Sequence, residues 1–317
     1  MRVPEGEDTV NYTKHCQDEC RGAKALLRGQ SIAAVVVTYN RPDKLRTTLG
    51  SLQSQAHPVD EIIVIDNSSQ DVTGAMVRAE FPWFTCMQMP ENTGPAGGFS
   101  VGMQTAFIHG HDWVWLFNDD AFPEPDTLEQ LSSINSERVG IVCPVGVGDR
   151  GYKSFPTGIW WRGRPVPSSW DGCSTWVDVD GVTFNGALMS REVLARVGYP
   201  RSDYFMMFEE WEFCLRTRSA GFRILLLPMI TIHDQKAGSA NASLPWRGYY
   251  QTRNHLAIVL ERRSIIELFW WAYRQIKFVM GTMLYLDSKR ERTRLRLLGA
   301  WHALRGRTGR AIDPSSL

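Results

Sequence analysis

The chain has no long uncharged apolar run, no paired-cysteine motif, no surplus of charge of either sign and no dinucleotide fingerprint after its first strand. Each absence excludes something. The most hydrophobic stretch, residues 264–286, is broken by Glu267, Arg274 and Lys277, so no continuous span of transmembrane length exists. The six cysteines, Cys16, Cys20, Cys86, Cys143, Cys173 and Cys214, form no C-x-x-C pair. Scattered in this way they fit a reducing compartment better than a disulfide scaffold, and Cys16 and Cys20 read as thiols rather than metal ligands. Lys plus Arg number 35 against 34 Asp plus Glu, which argues against the broad basic surface of a nucleic-acid binder. No G-x-G-x-x-G follows the first strand, which counts against a nicotinamide enzyme. The polar first residues lack the apolar core of a signal peptide, and no repeat or low-complexity segment is present.

What is present is an alternation of strand and helix signals. Ile32 to Thr38 is a continuous apolar strand of the doubly buried kind. Asn40 stands where a helix cap is expected and Pro42 where a first turn tolerates it, predicting a helix from Asp43 to about Gln55. Strands follow at Glu61 to Asp66, Thr85 to Met89 and Trp113 to Phe117, with helices near Val72 to Glu80 and Phe99 to His109. This βαβαβαβ pattern predicts a mostly parallel, Rossmann-like sheet flanked by helices. The stretch from Arg138 to Asp180 has weak periodicity. Helices near Arg191 to Val197 and Glu209 to Ala220 and a strand from Phe222 to Leu227 complete the expected α/β body. Four regions are expected: an extension at 1–30, halves at 31–140 and 141–245, and a helical, basic region at 246–317. An amphipathic helix followed by a basic one in that last region suits either an anionic membrane surface or an ordinary packed helix.

Polar clusters terminate the strands at their carboxyl ends, where ligands bind in such sheets. Asn118-Asp119-Asp120 closes an apolar strand, and carboxylates there need a cationic partner. A divalent cation bridging a diphosphate would serve, and so would a simple turn. Asp66 can meet a base or ribose edge or make an Asx turn. The glycines of the Asn92 to Gly98 loop, Gly97 and Gly98 among them, can let backbone approach a diphosphate. Glu212 is expected to pair with Arg216 four residues on. Glu210 is then free for a cleft, where its apolar neighbours would raise its pKa, as suits a general base. An acidic helix start complementing the dipole explains Glu209 or Glu210 equally cheaply. Trp160, Trp161 and Trp170 can stack on an acceptor or pack in a core.

The order of these clusters resembles glycosyltransferase family 2. The segments are VVVTYNR (35–41), IDNSS (65–69), NTGPAGGF (92–99), NDD (118–120), NGA (185–187), EEWE (209–212) and His233. Within that family the chain is similar to bacterial galactofuranosyltransferases, including the mycobacterial type that begins galactan synthesis, and to rhamnosyltransferases. Tyr249-Tyr250-Gln251-Thr252-Arg253-Asn254 matches a YYxxRN pattern of the subgroup. The resemblance implies a GT-A fold and an inverting transferase. The donor would be a nucleoside-diphosphate sugar (UDP-galactofuranose or dTDP-rhamnose), and Mn²⁺ or Mg²⁺ would assist. A glycan or polyprenyl-linked acceptor would receive the sugar in cell-envelope synthesis. The implied setting is cytoplasmic, peripheral on the inner membrane face.

Thr38, Asn40, Arg41, Asp66, Asn92, Gly97, Gly98, Asn118, Asp119 and Arg253 would then hold the nucleotide-sugar. Asp120 and His233 would bind the metal, and Glu210 would be the base. Trp160, Trp161, Asn185, Gly186 and Glu209 would face the acceptor. Two departures stand out: Asn118 replaces the usual first Asp of the triplet, and the base is Glu rather than Asp. A sugar nucleotidyltransferase and an inactive membrane-docked scaffold of the same fold are the alternatives.

Overall fold

A computed structural model describes residues 29–132, 138–148, 157–167, 176–234, 244–285 and 288–312. Most of the expected N-terminal extension, with Cys16 and Cys20, lies outside the described residues, as do Trp170 and Cys173.

The body alternates β1 (Ile32–Thr38), α1 (Pro42–Gln53), β2 (Glu61–Asp66), α2 (Thr73–Glu80), β3 (Thr85–Gln88), α3 (Gly94–Ile108) and β4 (Trp113–Asn118). Short β5 (Ala121–Pro123) and α4 (Thr127–Ser132) follow, then β6 (Val139–Gly148). A separate hairpin pairs β7 (Gly158–Trp161) with β8 (Arg164–Pro167). Then come β9 (Val177–Asp178), β10 (Leu188–Ser190), α5 (Arg191–Val197), a 3₁₀ turn (Ser202–Tyr204), α6 (Glu209–Ser219) and β11 (Arg223–Asp234). Helices α7 (Pro245–Glu261), α8 (Ile265–Tyr285) and α9 (Lys289–Leu304) complete the chain.

One sheet runs in the order β3-β2-β1-β4-β10-β6-β11-β5, with β9 also on β11. The pairs β3–β2, β2–β1, β1–β4 and β6–β11 are parallel, while β10, β5 and β9 run antiparallel to their neighbours. Both expected halves contribute strands to it. The uninterrupted apolar run of β1 follows from its position, because every residue is buried. Ala34 and Val36 face a core shared with Leu45 and Leu49 of α1, and Val35 and Val37 face one shared with Phe99 and Met103 of α3.

Two expectations change. The stretch read as weakly periodic contains β6, whose glycines and Pro144 hide its strand character. The strand expected to stop at Leu227 resumes past a register shift and reaches Asp234, so His233 lies within β11. Among the described residues no helix is long and apolar enough to cross a membrane.

Helix α3 lies close on the sheet because its inner face is glycine. A Cβ at Gly102 would sit 2.3 Å from Val35 Cγ1, and one at Gly98 would sit 2.5 Å from Val37 Cγ1. Gly102→Ala should therefore lower the unfolding free energy by about 1–3 kcal/mol in a denaturant titration. Gly50→Ala, on the open face of α1 with nothing near its Cβ, should raise it by roughly 0.5–1 kcal/mol. Equal effects at the two sites would contradict the packing described.

Candidate active site

The strand β4 delivers Asp119 and Asp120 to the sheet's carboxyl edge with only 4% of each exposed. Charges so placed must be compensated, and the loop after β1 does this. Thr38 Oγ1 donates to Asp119 Oδ2 at 2.9 Å. Arg41 Nη1 bridges the pair, 3.1 Å from Asp119 Oδ1 and 3.0 Å from Asp120 Oδ2. Lys44 Nζ stands 3.7 Å from Asp120. Burial pushes the Asp119 carboxyl above its ordinary value against the pull of Arg41. Burial works against the Arg41 charge too, but the two carboxylates hold its pKa higher. Lys44 escaped sequence reasoning, although it follows Arg41 by three residues at the start of α1, a spacing that places both on one side.

At the end of β2, Asp66 accepts from Ser69 N at 2.8 Å through Oδ1. Its Oδ2 is buried without a partner, a costly state for a carboxylate oxygen. Gly74 keeps the space beside it clear, since a Cβ there would come within 2.9 Å of Oδ2. Asn40 is not the helix cap: Arg41 holds that place, without a side-chain bond. Asn40 instead takes a left-handed φ of 53°. Its N–H donates to Ser69 Oγ at 2.9 Å and its Oδ1 accepts from Gln70 N at 2.7 Å. It thus ties the loop after β1 to the loop after β2.

Asn92 Oδ1 accepts from Gly94 N at 2.9 Å, and α3 begins at Gly94, earlier than expected. Gly97 and Gly98 are therefore buried helix residues. A Cβ at Gly97 would meet Thr93 and one at Gly98 would meet Val37, so close packing accounts for both without a diphosphate.

Two hydrogen bonds join the end of β4, beside the acidic pair, to the start of α6. Asn118 N donates to Asn185 Oδ1 at 2.9 Å. Asn185 follows Phe184, whose N–H donates to Glu210 Oε1 at 2.8 Å. Gly186 makes the turn with a φ of +76°. Its missing Cβ leaves room for Ile232, 2.6 Å from where that atom would lie. Glu209 is buried with Oε2 unpartnered, while Glu210 keeps partial solvent access. Burial pushes both carboxyls well above the usual glutamate range, and the Glu210 charge adds to the shift at Glu209. Glu212 pairs with Arg216 at 2.6 Å as its spacing predicted.

The chain enters α6 through an unusual segment. Phe205, Met207 and Phe208 all have positive φ, at 63°, 68° and 71°. For bulky residues this is a strained state that the surroundings must impose. Asn254 imposes it: its Nδ2 lies 3.0, 2.8 and 2.8 Å from the carbonyls of Tyr204, Met206 and Met207. Arg253, 1% exposed, braces Asn254 Oδ1 through Nε at 2.8 Å and spends its other nitrogens on the carbonyls of Asp203, Tyr204 and Gly309. Arg253 is thus a scaffold for this segment rather than a phosphate ligand.

The remaining expected residues divide. His233 does not join Asp120: its Nε2 is 2.5 Å from Glu124 and its ring stacks on Phe122. Among the described residues no group of three or more His, Cys, Asp or Glu side chains forms a ready metal cage. The donor set nonetheless fits Mg²⁺ or Mn²⁺ arriving with a diphosphate, which brings its own oxygens to one or two carboxylates. Trp160 packs beside Trp211 of α6, ring centroids 5.9 Å apart, and Trp161 lies further along the hairpin, beside Arg162.

Asn254→Leu keeps the volume and removes the donor to the Met206 and Met207 carbonyls, while Tyr204 O keeps its bond from Arg253, and should cost about 1–3 kcal/mol of stability. Asn254→Asp, equal in size but without an N–H when ionised, should lose as much by the same denaturant titration. Wild-type stability in both variants would remove Asn254 from this role.

The family model for Glycosyl transferase family 2 matches residues 33–198, just over half the chain. The chain is 32% identical over 199 residues to galactofuranosyltransferase GlfT1 of Mycolicibacterium smegmatis, covering 60% of this chain and 66% of that protein. The match thus spans just under two thirds of that relative's length. With the dTDP-rhamnosyl transferase RfbF of Shigella flexneri it shares 24% identity over 295 residues, 88% of this chain and 97% of that one. Two solved structures share the fold. GalNAc-T7 with UDP, GalNAc and Mn²⁺ has a TM-score of 0.62 at 13% identity, covering 87% of this chain and 56% of that chain. The mannosyltransferase PcManGT from Pyrobaculum calidifontis, with GDP-Man and Mn²⁺, has a TM-score of 0.55 at 17% identity, covering 87% of each chain. With these matches and this sheet, the chain belongs to glycosyl transferase family 2 and carries the GT-A fold.

Proposed function

We propose that the chain is an inverting glycosyltransferase. It moves galactofuranose from UDP or rhamnose from dTDP onto a hydroxyl of a cell-envelope glycan or polyprenyl-linked acceptor at the cytoplasmic side of the membrane. The relatives named above supply the two candidate donors. The observation that carries the reading is Glu210, a carboxylate docked on Phe184 N–H, raised by burial, and linked through Asn185 to the end of β4.

Thr38, Asn40 and Asp66 line the nucleotide end, where the unpartnered Asp66 Oδ2 would accept from the pyrimidine. Asn92 shapes the path toward the sugar. Arg41 and Lys44, now on the acidic pair, are the cations within reach of a diphosphate. Asp120, with Asp119 behind it, would hold a divalent ion, which supplies charge neutralisation at the departing phosphate. Glu210 takes the proton from the acceptor hydroxyl as that O–H bond breaks. The oxygen forms a bond to the anomeric carbon while the bond from that carbon to the diphosphate oxygen breaks. The electron pair leaves with the nucleoside diphosphate, and one displacement inverts the centre. Asn185, Gly186, Glu209 and the hairpin tryptophans Trp160 and Trp161 form the acceptor side.

Glu210→Gln keeps the bond to Phe184 N–H through its amide oxygen but cannot take a proton. Turnover should fall by at least about 100-fold, with nucleotide affinity unchanged by calorimetry. A raised Glu210 pKa means the base is protonated over a wider acid range. The rate should therefore rise with pH through a value above that of an ordinary glutamate, and this limb should vanish in Glu210→Gln. The same shift has a stability consequence. The folded state binds protons more tightly at Glu209 and Glu210 than the unfolded chain does, so stability should decline as pH rises from the ordinary glutamate pKa through the raised one. A parent-like rate in Glu210→Gln would remove Glu210 as the base. Nucleotide binding with no turnover in the parent on either donor would point to another donor or a missing acceptor, and no turnover with no nucleotide binding would favour the scaffold reading.

A further inference from the structure

Helix α8 is built inside out for a surface helix. Glu267, Trp271 and Thr282 are buried, and Arg274 donates to the backbone carbonyls of Arg162 and Gly163 at 3.0 and 2.8 Å. The opposite face is apolar and open: Ile265, Phe269, Ile276 and Met280 are 83, 65, 61 and 60% exposed, with Met283 on the same line at 46%. Their spacing puts them on one side of the helix. Helix α9 repeats the pattern. Its inner face is fixed on α7 by Gly299, where a Cβ would meet Tyr249 O at 2.5 Å, and by the 2.6 Å bond between Tyr249 Oη and His302 Nδ1. Leu297, Trp301 and Leu304 are left outward at 63, 51 and 62% exposure. Arg305 lies over the Trp301 ring at 4.1 Å.

Charge names the occupant. From Arg262 to Arg310 basic residues outnumber acidic ones twelve to three, whereas the rest of the chain carries 23 basic residues to 31 acidic ones. Lys277, Lys289, Arg290, Arg294 and Arg307 are exposed. A patch for a second copy of this chain would meet its own positive charge. An anionic bilayer offers both an apolar layer for the outward side chains and phosphates for the cations.

We infer that the outward faces of α8 and α9 dock on an anionic phospholipid surface, with the apolar side chains at the headgroup boundary and the basic ones on the phosphates. The contact is one-sided, since no described helix can span a membrane. The surface also abuts the cleft. Glu267 and Arg274 of α8 pack on Gly163 of the β7–β8 hairpin, and Trp160 of that hairpin packs on Trp211, the neighbour of Glu210. Docking would thus place the acceptor side of the cleft beside the bilayer, a placement that rests on the proposed function, whereas the docking itself does not.

The test is flotation of the full chain with vesicles of phosphatidylcholine alone and of phosphatidylcholine mixed with phosphatidylglycerol, alongside calorimetric binding of UDP and of dTDP without vesicles. The chain should float with the anionic vesicles, and less so as salt rises. Phe269→Glu with Ile276→Glu, and separately Arg290→Glu with Arg294→Glu, should each weaken vesicle binding by about tenfold or more. Melting temperature and UDP binding should stay unchanged, because these side chains contact solvent. No flotation with anionic vesicles at low salt would overturn the proposal. So would flotation indifferent to both pairs of substitutions, or a dimer in light scattering that the same substitutions dissociate. Failure of the parent chain to bind either UDP or dTDP would strike the proposed function instead and leave the docking result standing.

Discussion

Holding carboxylates out of water is the constraint around which this molecule is arranged. The apolar strand β4 carries Asp119 and Asp120 to a buried edge, where unpaired charge would be prohibitively costly. Arg41, Lys44 and Thr38 answer that cost, and in doing so they pin the start of α1 to the end of β4. Across the cleft the same problem has the opposite solution. Among the described residues no cation pairs with Glu209 or Glu210, and burial drives them toward the protonated form. On the proposed function one side would hold a cation and the other would take a proton, the division of labour that transfer of a phosphate-activated group requires.

The second group of carboxylates depends on the C-terminal helices. Three departures to positive φ within four residues would not survive in a free loop, and Asn254 and Arg253 of α7 hold the segment. Arg253 in turn reaches the carbonyl of Gly309, and Tyr250 Oη donates to Ile312 O at 2.7 Å. The helical region is therefore part of how the cleft is built as well as the bearer of an exposed amphipathic face. The YYxxRN pattern has a physical explanation here: two tyrosines fix the tail, and the Arg-Asn pair fixes the entrance to α6.

The sheet's parallel half was legible because burial on both faces demands unbroken apolar runs, as in β1, β2 and β4. The Glu212–Arg216 pair was legible because it depends on residues four positions apart. What was not legible depends on contacts distant in sequence. Asn40 looked like a cap by type, but its partners are Ser69 and Gln70. Gly97 and Gly98 looked like a phosphate loop, but β1 explains the space at Gly98 and Thr93 that at Gly97. Arg253 looked like a phosphate ligand, because guanidinium chemistry does not reveal that its partners are carbonyls. His233 is the converse case, since the partner that engages it, Glu124, follows the short strand β5, which the sequence did not disclose.

The central claim is that the cleft turns over a nucleoside-diphosphate sugar with the help of a divalent cation at Asp120. The most direct measurement is release of free nucleoside diphosphate from UDP-galactofuranose and from dTDP-rhamnose, each with Mn²⁺ or Mg²⁺ and again with EDTA, in the presence of a glycolipid acceptor. The account predicts release from one of the two donors, abolished by EDTA. Release that continues undiminished in EDTA, or a chain that neither releases nor binds either nucleotide, would contradict it.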